Sequence, residues 1–290
     1  MKIDAKDQSI SKLKDYFFLV PDYQREYVWK PDDEVEQFLI DIENEYSPDA
    51  KEQRNYFLGS IIIANNDRCF DVVDGQQRLT TIMLSLCVFR DLLKKETLNS
   101  AQKNYLQIIE NLLYNFDIES GETRVRLELQ YEESHDYLTA LIQEQPYNGV
   151  RSPSIVRMQD AYTKILRHFQ LYAGIDELID FAKYCLTKIE LVVIESQDLS
   201  SALKIFETIN QRGAGLNAMD LVKNLLFKAT KLLDSKFYIG VNTALNRFKN
   251  DFQYNFTGWN KSSVEARQKI LLELVFDTWR INDLRLDRVK

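Results

Sequence analysis

The residues best placed for chemistry lie in one run, Asp71-Val72-Val73-Asp74-Gly75-Gln76-Gln77-Arg78-Leu79-Thr80-Thr81. An apolar strand stops at Asp-Gly and a helix opens at once. The first turn of a helix carries free N–H groups and the positive end of the peptide dipoles, so it accepts an anion. Arg78 adds a planar cationic fork suited to phosphate. Asp74 is placed to hold a divalent cation such as Mg2+ between phosphates. Gln76 or Gln77 has the amide needed to orient a water or read a base edge. Gly75 and Thr80 belong to the same turn and are binding candidates with them. A duller explanation covers part of the run. Asp74 with Gln77 three residues on has the spacing of a capping box, and Asp-Gly is a common turn. Capping does not explain two adjacent glutamines followed by arginine, so both readings stay open on the residues alone.

Two other segments carry polar groups of the same kind. Pro21-Asp22-Tyr23-Gln24-Arg25-Glu26-Tyr27-Val28-Trp29 alternates aromatic with amide and charged side chains. Tyr23 and Trp29 offer faces on which a base could stack, while Arg25 reaches a phosphate. For Trp29 the packing explanation is favoured, since an aromatic at a helix entry usually packs. Gln24 and Arg25 gain nothing from burial. The third segment runs from Phe206 through Asn210-Gln211-Arg212-Gly213 to Asp220-Leu221-Val222-Lys223-Asn224. Gly213 fits a helix C-terminus and Asn217 a following N-cap, so much of it is helix punctuation. Arg212, Asp220 and Lys223 are left as groups that could face a polyanion or anchor the first site, with Asn210 and Gly213 as further binding candidates, although Asp220 and Lys223 also suit an ordinary surface pair.

The elements that must position these residues mix strands and helices, an α+β arrangement. Strands are expected at 15–20, 56–64, 69–73, 123–129 and 189–195, the second and third as a hairpin around Asn65-Asn66-Asp67. Helices are expected from Pro31 to about 46, from the Asp-Gly turn through 93, over 96–118, 132–143, 155–186, 199–210 and 217–233, and onward to the end. The chain has 290 residues, 45% of them hydrophobic and 28% charged, enough for a core without disulfide or metal staples. Its 9 glycines and 5 prolines are few, which favours helices over a turn-rich all-β fold. A net charge of -7 excludes a whole-chain basic footprint for nucleic acid but not a local basic groove. Cys69, Cys87 and Cys185 are read as reduced core residues of a cytoplasmic protein, and no signal peptide or membrane span is expected.

Several familiar signatures are missing. The sequence has neither a G-x-x-x-x-G-K-[ST] phosphate loop nor G-x-G-x-x-G, and neither H-E-x-x-H nor paired cysteines for zinc. His135 and His168 are the two histidines, too few and too isolated for a histidine nuclease centre.

Taken together, Tyr23-Gln24-Arg25 with Trp29, Phe57-Leu58-Gly59-Ser60-Ile61, Val73-Asp74-Gly75-Gln76-Gln77-Arg78-Leu79-Thr80-Thr81 and the Phe206 to Asn224 segment resemble one family, in its order and over about residues 15–230. It is the N-terminal domain of GmrSD-type modification-dependent restriction enzymes, and the Asp-Gly-Gln-Gln-Arg run is the most specific match. The resemblance implies a small ParB/sulfiredoxin-like mixed sheet core at about 15–95. A helical insertion would follow at about 96–186, then a returning strand and helices at 187–230. A helical segment at 231–290 would lead on toward a further domain. It implies a nucleoside-triphosphate-binding and hydrolysing module, Mg2+-dependent, in bacterial anti-phage restriction of DNA, including modified DNA. A nuclease domain or subunit would be its partner, because these residues contain no nuclease centre. The rival reading is a sensor that binds DNA or a modified base without nucleotide turnover. Self-association into a homo-oligomer stays open, and no membrane partner is expected.

Overall fold

The computed structural model describes residues 3–210 apart from residues 23, 119–120, 132–134 and 173. The chain divides into two compact units, Met1–Phe206 and Glu207–Lys290. The helix expected at 217–233, the boundary expected at 230 and the helical segment after it lie outside the described residues.

A six-stranded mixed sheet organises the first unit, in the order β1-β8-β3-β4-β2-β7. The strands are β1 (Ile3–Ser9), β2 (Phe18–Val20), β3 (Tyr56–Asn66), β4 (Cys69–Asp74), β7 (Leu127–Leu129) and β8 (Ile189–Ser196). β3 and β4 form the expected hairpin, antiparallel from Ile62↔Asp74 to Asn66↔Cys69. β-branched Ile61, Ile62 and Ile63 are fully buried, as a central strand requires. β2 runs parallel to both β4 and β7, so the carboxyl ends of these three strands share one edge. β3 overshoots that edge, since Ile62 pairs with the last residue of β4 while residues 56–61 continue beyond it.

The helices are α1 (Glu36–Glu45), α2 (Gln76–Leu93), α3 (Ser100–Leu113), α4 (His135–Ile142), α5 (Pro153–Phe169), α6 (Ile175–Lys188) and α7 (Leu199–Asn210). A helical turn at Pro31–Val35 leads into α1. α2 is the central helix. Its buried residues include not only Leu79, Ile82, Met83 and Leu86 but Thr81, Ser85 and Arg90, so it is covered all round and not along one stripe. Arg90 is 1% exposed. Its guanidinium donates to the Ile142 and Leu141 carbonyls at the end of α4 and to Asp91. Asn99 and Gln102 start α3 with a reciprocal capping box, and Ser152 caps α5.

Three expectations need correction. The helix expected over 96–118 stops at Leu113, and Tyr114–Asp117 forms β5. The alternating run at 123–129 is not one strand. β6 (Glu122–Val125) pairs with β5 in a separate hairpin, while β7 joins the main sheet. Arg126 makes the break, because its buried side chain turns to the Asn111 and Tyr16 carbonyls. β1 was not expected at all. Its sequence is polar because it is an edge strand with mostly exposed side chains, and backbone pairing to β8 alone defines it. Of the cysteines, Cys87 and Cys185 are core residues, whereas Cys69 is half-buried and its thiol meets the Asn66 carbonyl.

Candidate functional site

Asp-Gly ends β4 because the chain must reverse into α2 within one residue. Gly75 does this with φ 87°, a left-handed conformation that a side chain would strain. It also lies against β3, where an added Cβ would come within 2.5 Å of Ile61 Cγ2. α2 therefore starts at the carboxyl edge of the parallel strands, the place where open α/β sheets hold ligands.

The capping box expected from Asp74 and Gln77 does not form. The N-cap is Gly75, which has no side chain to offer the first turn of α2, and the Asp74 carboxylate lies at the Gly75 N–H. Gln77 points elsewhere. Its Nε2 donates to the Glu26 carbonyl at 2.9 Å and its Oε1 accepts from Val28 N at 2.8 Å. The side-chain amide thus pairs with residues 26 and 28 as a neighbouring strand would. Gln76 Nε2 donates to the Arg25 carbonyl at 2.9 Å, and its Oε1 accepts from the buried Tyr131 hydroxyl at 3.3 Å. From the other side, Gln24 Nε2 donates to the Val73 carbonyl at 3.0 Å. Tyr27, 1% exposed, donates to Thr81 Oγ1, which in turn donates to the Gln77 carbonyl, both at 2.9 Å. The two motifs, about fifty residues apart in sequence, are stitched into one site. The bonds give both glutamines the work of holding the 24–28 loop.

Arg78 and Arg25 supply the positive charge. Arg78 is half-buried and donates through Nη1 to the Ser60 carbonyl at 2.8 Å. Arg25 is exposed. Burial raises the Asp74 pKa above the usual carboxylate value, while the Gly75 N–H, Arg78 and Arg25 pull it down. Burial likewise lowers the Arg78 pKa, opposed by Asp74 and Tyr56.

The structure thus brings Gln24, Arg25, Asp74, Gly75, Gln76, Gln77 and Arg78 together. Thr80 is 2% exposed and does not present its hydroxyl at the surface. Trp29 packs on Phe38 with ring centroids 6.1 Å apart, which accords with its packing explanation. Tyr23, Arg212, Gly213 and Lys223, and the side chain of Asn210, lie outside the described residues. Sequence reasoning missed Tyr131, Tyr56 and the close approach of the Arg78 side chain to Gly59. Their partners are distant in sequence, and the one available signal was Gly59 interrupting an otherwise apolar strand.

Among the described residues, no group of three or more His, Cys, Asp or Glu could hold a metal ion, and no helix is long and apolar enough to cross a membrane. No curated protein matches the sequence. The family described as GmrSD restriction endonuclease, N-terminal domain, matches residues 6–227. The chain belongs to that family and, with it, to the modules of restriction and defence systems.

Proposed function

We propose that this chain binds a nucleoside triphosphate at the start of α2 and hydrolyses it, and that this controls the nuclease domain or subunit of a restriction system acting on DNA. The observation that carries the reading is the first turn of α2, which its N-cap Gly75 leaves without a side-chain cap, with Arg78 and Arg25 near Asp74 at the same turn. Backbone N–H groups and the helix dipole take the phosphates, and the arginines neutralise their charge. Asp74 fits a metal in one way only. Mg2+ keeps waters and phosphate oxygens and needs one or two carboxylates, so Asp74 would hold it together with the nucleotide. Bound there, Mg2+ would screen the phosphate charge. Asp74 also faces both arginines, so phosphate and carboxylate compete for the same cations until a metal joins them.

The rival, binding without turnover, draws support from the glutamines. Their carbonyl oxygens and one amide N–H each are engaged by the loop and Tyr131, which removes the obvious group for orienting water. Turnover then rests on Asp74 and the arginines.

Arg25→Ala is the discriminating variant, because Arg25 is exposed and its loss leaves the loop bonds in place. Nucleotide turnover and calorimetric binding are measured on the full chain and the variant. Turnover in the parent, with affinity falling about tenfold or more in Arg25→Ala, supports the reading. Binding without turnover favours the sensor. Heat from modified DNA but none from any nucleotide overturns the nucleotide site.

A further inference from the structure

β3 is irregular where it passes α2. Its register against β8 shifts between Phe57 and Gly59, so Leu58 is an extra residue in a bulge. Gly59 then adopts φ 131°, which residues with side chains rarely reach. The strand returns to ordinary pairing at once, with Ser60, Ile61 and Ile62 opposite Val192, Val193 and Ile194.

The irregularity has a visible occupant. A Cβ on Gly59 would sit 2.8 Å from Arg78 Cζ, 2.9 Å from Nη2 and 3.2 Å from Nε. Cζ is the nearest of the three, so the face of the guanidinium rests on the glycine, not its edge. The next residue supplies an acceptor in register, the Ser60 carbonyl at 2.8 Å from Nη1. Tyr56, at the start of the same strand, adds a further polar neighbour to Arg78. A planar cation laid flat on backbone keeps its N–H edge for other partners. Lysine could not use such a seat, having no face to lay down.

We propose that Gly59 is a positioning residue for anion recognition: its bulge and missing side chain form a seat that fixes Arg78 beside the first turn of α2. The inference rests on the anion site proposed above and identifies what would make Arg78 effective there. Gly59 itself touches no ligand. Its contribution passes through the arginine, and this predicts a specific non-additivity.

The experiment is a double-mutant cycle on the full chain with Gly59→Ala, Arg78→Ala and the double variant. Arg78→Lys is the charge-retaining control. Inorganic tripolyphosphate with Mg2+ is the calorimetric probe, near-UV circular dichroism confirms the folded state at the assay temperature, and thermal midpoints are recorded for all. Gly59→Ala is expected to weaken tripolyphosphate binding about tenfold to a hundredfold in the parent and not further in the Arg78→Ala background. Arg78→Lys should lose about as much as Arg78→Ala although the charge is kept. The double variant should melt above the midpoint that two independent losses predict, because removing the guanidinium removes the clash. If Gly59→Ala fails to fold, recovery of folding in the double variant shows the packing of Arg78 on Gly59, and the Arg78→Lys comparison then tests the positioning role: an Arg78→Lys affinity close to the parent's overturns it. Equal affinity losses in both backgrounds, or additive midpoint losses, overturn the inference. A parent chain that binds no tripolyphosphate while the midpoints stay coupled refutes the anion site itself and the positioning role with it, leaving only the packing of Arg78 on Gly59.

Discussion

Replacing Gln77 by alanine removes both bonds that make its amide a surrogate strand for the 26–28 backbone, at 2.9 and 2.8 Å. A side-chain bond of this kind contributes about 0.5–1.5 kcal/mol net, and a buried partner left unmet costs about 1–3 kcal/mol. Glu26 and Val28 are half-buried, so water reaches their backbone groups once the loop lifts, and the lower figures apply. The expected loss is about 2 kcal/mol for the pair. For a unit of this size that corresponds to a midpoint about 4–8 °C lower. Amide exchange is the sharper assay, because the Val28 N–H is the one that Gln77 Oε1 accepts. Its exchange should accelerate about tenfold or more, with smaller changes in β3 and β4. A Val28 amide that exchanges at the parent rate would mean that Tyr27 and Gln24 hold the loop unaided, and the strand-surrogate argument would be wrong.

Further expectations follow from the same geometry. Gly75→Ala combines a left-handed φ of 87° with a Cβ 2.5 Å from Ile61, and should cost about 2 kcal/mol or more in urea unfolding; an unchanged midpoint would mean that the turn relaxes freely. Tyr27→Phe removes one buried hydroxyl bond to Thr81 and should cost about 1 kcal/mol by the same measurement. Asp74→Asn should stabilise the chain. Folding raises the Asp74 pKa above its reference of 3.8, so stability present below that value is lost as pH rises through the folded value. Asparagine does not titrate, so the gain should appear near neutral pH and vanish below 3.8; a variant weaker than the parent at neutral pH would show that Arg78 and Arg25 outweigh burial.

Much of this architecture is written in local patterns. Ile61-Ile62-Ile63 before Asn65-Asn66-Asp67 marks a hairpin, and Asp74-Gly75 before an apolar helix marks the turn that holds the candidate site. β1 left no such trace, since a polar edge strand is defined by the partner that it pairs with and not by its own periodicity. The alternation from Thr123 to Leu129 was real, but it carries no record of which sheet each half joins. The site divides in the same way. Residue type and helix position identified Arg78, Arg25 and Asp74 as candidates. The assignment of Gln76 and Gln77 to the 24–28 backbone depends on contacts across about fifty residues, and amides with such partners look in sequence like amides awaiting a ligand. Gly59 is similar, being intelligible only once Arg78 is seen lying on it.

Arg90 lies at the opposite end of α2 from the candidate site, sunk among carbonyl oxygens of α4. A helix moored there cannot piston along its axis without stranding a buried cation, and that is among the costlier rearrangements a core can make. The turn proposed to face an anion is consequently set before any ligand arrives, and little ordering entropy would be lost there on binding. Any motion on the proposed binding would fall instead to residues 24–28, whose tethers are neutral and individually weak.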